Sequence, residues 1–162
     1  MARALIVGCG CRGRELGRLL AGGGWAVRGT TRDPERAAGI EAAGIEAAVA
    51  DPDRVGTVLD HVADVAIVCW LLGSARGEPG AVAALHGPRL ERLLEELVDT
   101  PVRGVAYEAA GTVEAGSLEA GEKALAAARE RWRIPYALIR AEPGDPDAWA
   151  RDAEAAVAGL VG

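Results

Sequence analysis

Short apolar runs alternate with segments of helical periodicity along most of this chain. Segments 4–7 and 65–72 are almost continuously apolar, which is typical of buried parallel strands. Between such runs, leucines or alanines recur every three or four positions, most clearly over 89–98. We therefore predict strands over 4–7, 26–30, 45–50, 65–72, 102–107 and 136–140, and helices over 14–20, 34–43, 51–61, 89–98, 117–132 and 146–160.

This alternation predicts an α/β fold with a parallel sheet covered by helices on both faces. Six strands and six helices fit a doubly wound sheet of the Rossmann type, for which we expect the strand order 3-2-1-4-5-6. With 162 residues, half of them hydrophobic, the chain can bury one core and not two. We expect a single domain over 1–162, with a long loop over 73–88, which is rich in glycine and proline and has no clear period.

Charge and hydropathy exclude two classes of partner. The 18 basic and 24 acidic residues give a net charge of −6, and the arginines are interspersed with acids instead of forming a stripe that could meet a nucleic acid. No apolar segment resembles a secretory signal or approaches the roughly 20 residues that a membrane span needs. We expect a cytoplasmic protein that binds neither nucleic acid nor membrane.

The three cysteines predict neither a disulfide framework nor a metal site. Cys9 and Cys11 are one residue apart, where a mutual disulfide would be badly strained, and the count is odd. A metal site built on this pair would need two more ligands, and His61 and His86 have no recognisable ligand spacing.

A glycine loop follows the first predicted strand and opens the first predicted helix. It fits the pattern G-x-G-x-x-G, in which the first glycine makes the tight turn, the second lets the backbone approach a pyrophosphate, and the third lets helix pack on strand. The helix N-terminus adds N–H donors and positive potential. The pattern favours a bound dinucleotide, the alternative being a glycine turn without a ligand. The loop consists of Gly8, Cys9, Gly10, Cys11, Arg12 and Gly13.

The end of the second strand favours NADP(H) over NAD(H). A site selective for NAD usually offers an acid there to the ribose hydroxyls, whereas this chain has Thr31 and Arg32. An arginine can pair with a 2′-phosphate. Asp33 is an acid close to this position, so NAD(H) remains the second choice of cofactor. The alternative interpretation of Arg32 is that it is a solvated turn residue without a ligand.

The glycine loop, Gly24 and segment 27–32 resemble the opening of the atypical short-chain dehydrogenase/reductase group, the NAD-dependent epimerase/dehydratase-like proteins. The resemblance implies a dinucleotide-binding domain. It also implies that Asp51, after the third strand, lies near the adenine amine. Segment 140–144 resembles the Arg-Pro-Gly that this group has after its sixth strand.

The resemblance breaks at the catalytic residues. Active members use a Tyr-x-x-x-Lys pair, and the matching positions here hold Glu119 and Lys123, the only lysine of the chain. The serine of the family falls in a stretch where the aligned positions are alanines. The resemblance implies that Lys123 contacts the cofactor, the alternative being an ordinary exposed lysine. Glu119 and Glu108 remain as candidate acid/base residues.

Three further residues near the predicted site have ordinary structural interpretations that we favour. Trp70 closes the fourth strand, where core packing is a better interpretation than a cover for the nicotinamide. His86 lies in the predicted loop and is expected to face solvent. Cys9 is expected to be a small residue that fits the loop, although a thiol at a helix N-terminus can also be reactive.

Three functions remain open. The family's enzymes add a substrate lobe after the sixth strand, where this chain has about twenty residues. We therefore expect first an NADP(H)-binding sensor or scaffold without the usual catalytic residues. Its site would be completed by the second subunit of a homodimer or by a protein partner. The second alternative is an unconventional small NADP-dependent oxidoreductase or epimerase-like enzyme. The third is a structural protein that binds no nucleotide.

Overall fold

The computed structural model of the chain describes residues 2–161 and confirms the predicted Rossmann-type sheet. Six parallel strands form one sheet in the order β3-β2-β1-β4-β5-β6. The central strands β1, β4 and β5 are buried, except for Arg3 at the start of β1, because helices cover both faces. The strands are β1 (Arg3–Val7), β2 (Ala26–Thr31), β3 (Glu46–Val49), β4 (Ile67–Trp70), β5 (Gly104–Glu108) and β6 (Tyr136–Ile139).

Seven α-helices and one turn of 3-10 helix, Pro34–Arg36, connect and cover the strands in the described part of the chain. The first turn predicted at Asp33 is present, with the Asp33 carboxylate accepting a hydrogen bond from the Glu35 N–H at 2.9 Å. The α-helices are α1 (Cys11–Gly22), α2 (Ala37–Ala42), α3 (Val55–Leu59), α4 (Pro79–His86), α5 (Pro88–Leu97), α6 (Ala115–Trp132) and α7 (Pro146–Val161).

Helix α4 corrects the prediction of a long loop over 73–88. The Glu78 side chain caps this helix by accepting hydrogen bonds from the N–H groups of Gly80 and Ala81, both at 2.9 Å. Pro79 occupies the first helical position, where its missing N–H costs nothing. The loop after β4 is therefore only the segment 71–78, and α4 follows it and packs on α5 and α6.

Two apolar layers form, one on each face of the sheet. Alternate residues of β1 point to opposite faces, so that Leu5 packs with α5 and α6 while Ile6 packs with α1 and α7. Trp149 of α7 is buried in the second layer, together with Ala153 and Val157 of the same helix. Within residues 2–161 we find no helix that combines the length and apolarity needed to cross a bilayer.

Candidate functional site

The three glycines of the loop after β1 each meet a different steric constraint. Gly8 has a φ of +86°, and a Cβ there would lie 2.5 Å from the carbonyl oxygen of Leu71. Gly10 has open space around it. A Cβ on Gly13 would come within 3.1 Å of the Gly8 carbonyl and of Ile6. The loop thus has the tight turn, the open approach and the close helix–strand packing that a phosphate-binding loop needs.

Helix α1 begins at this loop without a side chain to cap it. Gly10 is the N-cap residue, and no side chain accepts a hydrogen bond from the first turn. The N–H groups of the loop itself are used, since Cys9 donates to Thr30 and Gly10 donates to Gly8. The first N–H groups of α1 have no intrahelical partner, and such groups form an anion-binding position at a helix start.

A cleft of about 640 Å³ opens beside the glycine loop. Its size falls in the range of roughly 300–1,000 Å³ that is common for small-molecule sites. Its walls come from the carboxyl ends of β1, β2, β3 and β4 and from α4. One part of the lining is apolar: Ala50, Pro52, Leu71, Leu72, Ala75, Val82 and Leu85.

The other part of the lining is strongly basic. Asp53 and Glu78 are the acids there, and both are engaged, because Asp53 pairs with Arg89 at 2.9 Å and Glu78 caps α4. Hydrogen bonds from the α4 backbone hold the pKa of Glu78 below its usual value. Five arginines line the cleft: Arg12, Arg14, Arg32, Arg36 and Arg76.

Most of these arginines lack an acidic partner. Within residues 2–161, no carboxylate lies within salt-bridge distance of Arg14, Arg32, Arg36 or Arg76. Arg14 instead donates to the Cys11 sulfur at 3.3 Å. An acidic protein therefore concentrates unneutralised positive charge in one cleft, which attracts an anionic ligand.

Apart from Lys123, the residues predicted to contact a dinucleotide divide into two groups. Those whose atoms line the cleft are Gly8, Cys9, Gly10, Arg12, Thr31 and Arg32. Cys11, Gly13 and Asp51 lie beside it without lining it. The Asp51 carboxylate accepts a hydrogen bond from the Asp53 N–H at 2.9 Å and so shapes the loop whose next residues reach the cleft.

Cys9 has the structural role that we favoured. It is buried, and a Cβ on Gly29 would lie 2.5 Å from its sulfur, so the small side chain fills the space between the loop and β2. Burial raises the pKa of the Cys9 thiol to about 11, which argues against a reactive thiolate. Burial likewise raises the pKa of Cys69 to about 12. All three cysteines are free, and Cys11 is exposed.

Glu108 is a fully buried carboxylate at the end of β5. One oxygen accepts from the Gly73 N–H at 2.8 Å, and the other accepts from Trp149 Nε1 at 3.0 Å and from Arg12 Nε at 3.2 Å. The Arg12 guanidinium also stacks on Trp149, with Cζ 5.6 Å from the ring centroid. A carboxylate with this many donors fixes Arg12 in place, and the acid/base role of Glu108 stays a prediction.

His86 is fully buried, so its expected exposure to solvent is wrong. Its Nδ1 lies 2.6 Å from the Tyr107 hydroxyl and its Nε2 lies 2.9 Å from the Leu72 carbonyl oxygen. The carbonyl can only accept, which assigns the proton to Nε2 and leaves Nδ1 to accept from Tyr107. Burial lowers the pKa of His86, and burial with the nearby Glu122 raises the pKa of Tyr107. The pair joins α4 to β5.

Lys123 does not reach the cleft, contrary to the expectation from the resemblance. Gly121 and Leu125 lie on the buried face of α6, so Lys123 between them points outward. It is exposed and lines a separate groove between α5 and α6, together with Glu91. Glu119 is also exposed and does not line the cleft. Trp70 is buried in the core, as predicted, and its Nε1 donates to the Leu85 carbonyl.

Sequence reasoning missed Arg14, Arg36 and Arg76 as residues of the cleft. Arg14 and Arg36 lie in the first turns that follow β1 and β2, and the carboxyl ends of adjacent parallel strands meet at one edge of the sheet. Their positions were therefore a usable signal. Arg76 lies in the loop 71–78 after β4, at the same edge of the sheet, so its position was a usable signal as well.

Comparisons with known proteins show what this fold is similar to. No protein-family profile and no curated protein sequence matches the chain. Among solved structures, the Citrobacter sp. triphenylmethane reductase complexed with NADP(H) is 19% identical, with a TM-score of 0.64, over 85% of this chain and 48% of that one. A short-chain dehydrogenase/reductase superfamily protein of Agrobacterium tumefaciens with bound NAD is 17% identical, with a TM-score of 0.70, over 85% of this chain and 48% of that one.

The UDP-N-acetylglucosamine 4-epimerase of Bacillus cereus is similar over 86% of this chain and 53% of that one, at 13% identity and a TM-score of 0.69. The chain thus spans about half the length of the structures that it matches. The resemblance seen in the sequence is confirmed at the level of the fold: this chain has the Rossmann-type fold that reductases and epimerases of the short-chain dehydrogenase/reductase type also have.

Proposed function

We propose that this chain binds NADP(H) in the cleft beside the glycine loop, with NAD(H) as a weaker ligand. The observation that carries this proposal is the group of arginines at the ends of β1 and β2. Arg14, Arg32 and Arg36 line one part of the cleft and have no carboxylate partner among residues 2–161. A 2′-phosphate carries the charge and the acceptors that such guanidinium groups bind.

The rest of the cleft supports the same ligand. The uncapped start of α1 suits a pyrophosphate, and Gly10 leaves room for it to approach the backbone. Between the loops after β3 and β4, the side chains of Pro52, Val82 and Leu85 offer an apolar surface for a base. A ligand with a flat aromatic base at one end and several phosphates nearby fits this distribution of polarity.

For the chemistry, we propose a cofactor-binding, sensor or scaffold role in place of a standard dehydrogenase. Glu119 holds the position at which the resemblance would place the tyrosine, and it is exposed outside the cleft. Ala109 and Ala110 hold the positions aligned with the serine. In this proposal a second copy of the chain or a protein partner supplies whatever else the site needs.

The binding proposal is tested by a thermal shift with NADP⁺, NADPH, NAD⁺ and NADH. A ligand at 100 times its dissociation constant adds about 2.7 kcal/mol, which for a chain of this size is a rise in Tm of about 5–10 °C. We expect this rise with NADP⁺ and NADPH and a smaller one with NAD⁺ and NADH. No shift with any of the four would overturn the proposal.

Two further measurements sharpen the test. The isomers 2′,5′-ADP and 3′,5′-ADP differ only in the position of one phosphate, and we expect the 2′ isomer to bind about tenfold more tightly. The purified protein is also incubated with NADPH and a panel of aldehydes, ketones and quinones. We expect no oxidation of NADPH above the background without protein; turnover would instead favour a small reductase.

A further inference from the structure

The cleft opens along part of the edge of the sheet, at the ends of β1 to β4. In a doubly wound sheet, a dinucleotide crosses the point between β1 and β4, with one nucleotide at the ends of β1–β3 and the other at the ends of β4–β6. Here the lining residues follow β1, β2, β3 and β4. Of the residues that the structure describes, none that follows β5 or β6 contributes to this lining.

The loops after β4 and β5 are joined by backbone contacts. The Val113 N–H donates to the Gly73 carbonyl at 3.0 Å, and the Thr112 N–H donates to the Ser74 hydroxyl at 3.3 Å. A Cβ on Gly111 would overlap the Gly73 carbonyl, and a Cβ on Gly73 would overlap the Ala110 carbonyl. The two backbones therefore touch where the second nucleotide would need a groove.

Arg12 closes the same region from the other side. It starts in the glycine loop after β1 and reaches past the end of β4 to Glu108 at the end of β5. Glu108 and Trp149 below it are 0% and 1% exposed, so no ligand can enter between them. Because the Arg12 side chain is 33% exposed, it forms the surface here and still offers N–H groups to a phosphate.

We infer that the cleft recognises only the adenosine and phosphate part of the dinucleotide and leaves the nicotinamide outside in solvent, because Arg12, Glu108, Trp149 and the joined loops close the side of the site toward β5. This inference rests on the proposed function. It identifies the recognised ligand class as 2′-phosphorylated adenosine diphosphates, whatever group they carry beyond the second phosphate. The affinity of the protein for the ligand then does not depend on whether the nicotinamide is oxidised, reduced or absent.

Calorimetry with the full chain tests this inference with NADP⁺, NADPH and 2′-phospho-ADP-ribose, which lacks the nicotinamide. We expect the three dissociation constants to agree within fivefold. A loss of more than fivefold on removing the nicotinamide, or a difference of more than fivefold between NADP⁺ and NADPH, would overturn the inference and leave NADP(H) binding intact. If none of the three binds, the proposed function itself fails.

A second measurement locates the nicotinamide without any variant. NADPH held by excess protein is mixed with phenazine methosulfate, which accepts the hydride from the nicotinamide C4 and yields NADP⁺. A nicotinamide that remains in solvent is oxidised within fivefold of the rate of free NADPH. Protection by more than fivefold at saturating protein would show an enclosed nicotinamide and contradict the inference.

Discussion

The Arg12 guanidinium and the Glu108 carboxylate meet across 96 positions of the sequence, with Nε 3.2 Å from Oε2. The strand order explains this contact. Only β4 separates β1 from β5, so the loop after β1 and the end of β5 lie close together at the same edge of the sheet. Glu108 also accepts from Gly73 and Trp149, so one carboxylate joins the loops after β1, β4 and β5 to α7. Removing the Glu108 carboxylate should therefore lower the free energy of unfolding and also disturb the cleft that Arg12 lines.

We expect Glu108→Ala to lower the free energy of unfolding by about 2–4 kcal/mol, because breaking a buried ion pair leaves its partners without an acceptor. The partial exposure of Arg12 keeps the loss in the lower part of this range. Urea denaturation followed by circular dichroism measures it. Glu130→Ala, an exposed position on α6, is the control and should change the stability by less than about 0.5 kcal/mol. A loss below about 1 kcal/mol for Glu108→Ala would contradict the assigned anchoring role.

Arg32→Ala should weaken NADP⁺ binding about tenfold and NAD⁺ binding less than twofold. The reason is that a charge-assisted contact to a phosphate is worth about 1.5–3 kcal/mol when formed and less at an exposed site, and only NADP⁺ carries the 2′-phosphate. Calorimetry with both ligands gives the ratio. Arg92→Ala, which removes an exposed arginine of α5 paired with Glu96, is the matched control. Equal losses for the two ligands would reassign Arg32 to the pyrophosphate.

Stability should fall as the pH drops below about 6.5, because His86 is held neutral in the fold. Burial sets its folded pKa below the ordinary value of 6.5. The unfolded chain therefore binds more protons near pH 6, and the stabilisation present above pH 6.5 is lost as the pH falls toward the folded pKa. The slope can reach about 1.4 kcal/mol per pH unit. Thermal unfolding between pH 5 and 8 measures it.

His86→Gln removes this titration, and its amide can still donate to Leu72. We expect the variant to be less stable at pH 8 but to show a weaker loss of Tm between pH 7 and 5. His61→Gln is the control, since His61 is only half-buried, and it should keep the pH dependence of the parent protein. If the two variants show the same slope, another group causes the acid sensitivity. The ionisable groups that act on Tyr107, the hydrogen-bond partner of His86, are Glu122 and Glu108.

One cysteine of the three should react with a thiol reagent in the native protein. Cys11 is exposed, whereas Cys9 and Cys69 are buried with pKa values raised to about 11 and 12. Titration with 5,5′-dithiobis(2-nitrobenzoic acid) at pH 8 should give one rapid equivalent, and three after denaturation. Loss of the rapid equivalent in Cys11→Ser confirms the assignment. A second rapid equivalent in the native protein would mean that the glycine loop opens readily.

Gly111→Ala should destabilise the protein by about 2–4 kcal/mol. Its φ of +150° disfavours any side chain, and the new methyl group would overlap the Gly73 carbonyl. Gly144→Ala has open space around the added Cβ and serves as the control, with an expected change below about 1 kcal/mol. Urea denaturation compares the two. Similar small effects in both variants would mean that the loops after β4 and β5 separate easily.

The order of elements and the glycine loop were readable from the sequence because both depend on local patterns. Short apolar runs identified the strands, and apolar residues that recur every three or four positions identified most helices. The spacing of Gly8, Gly10 and Gly13 predicted the turn. Helix α4 was missed because the glycines and prolines around it led us to interpret the whole segment as a loop. The signal was present: Glu78 followed by Pro79 is a helix start.

What the tertiary structure alone decided depends on contacts between residues far apart in the chain. The sequence determined a Rossmann-type sheet, a loop suited to phosphate and an arginine at the end of the second strand. It could not show that Glu108 is bonded to Arg12, that His86 is buried against Tyr107, or that Lys123 faces a different groove. Burial and pairing of polar side chains follow from which loops meet at the sheet edge, and only the folded chain brings those loops together.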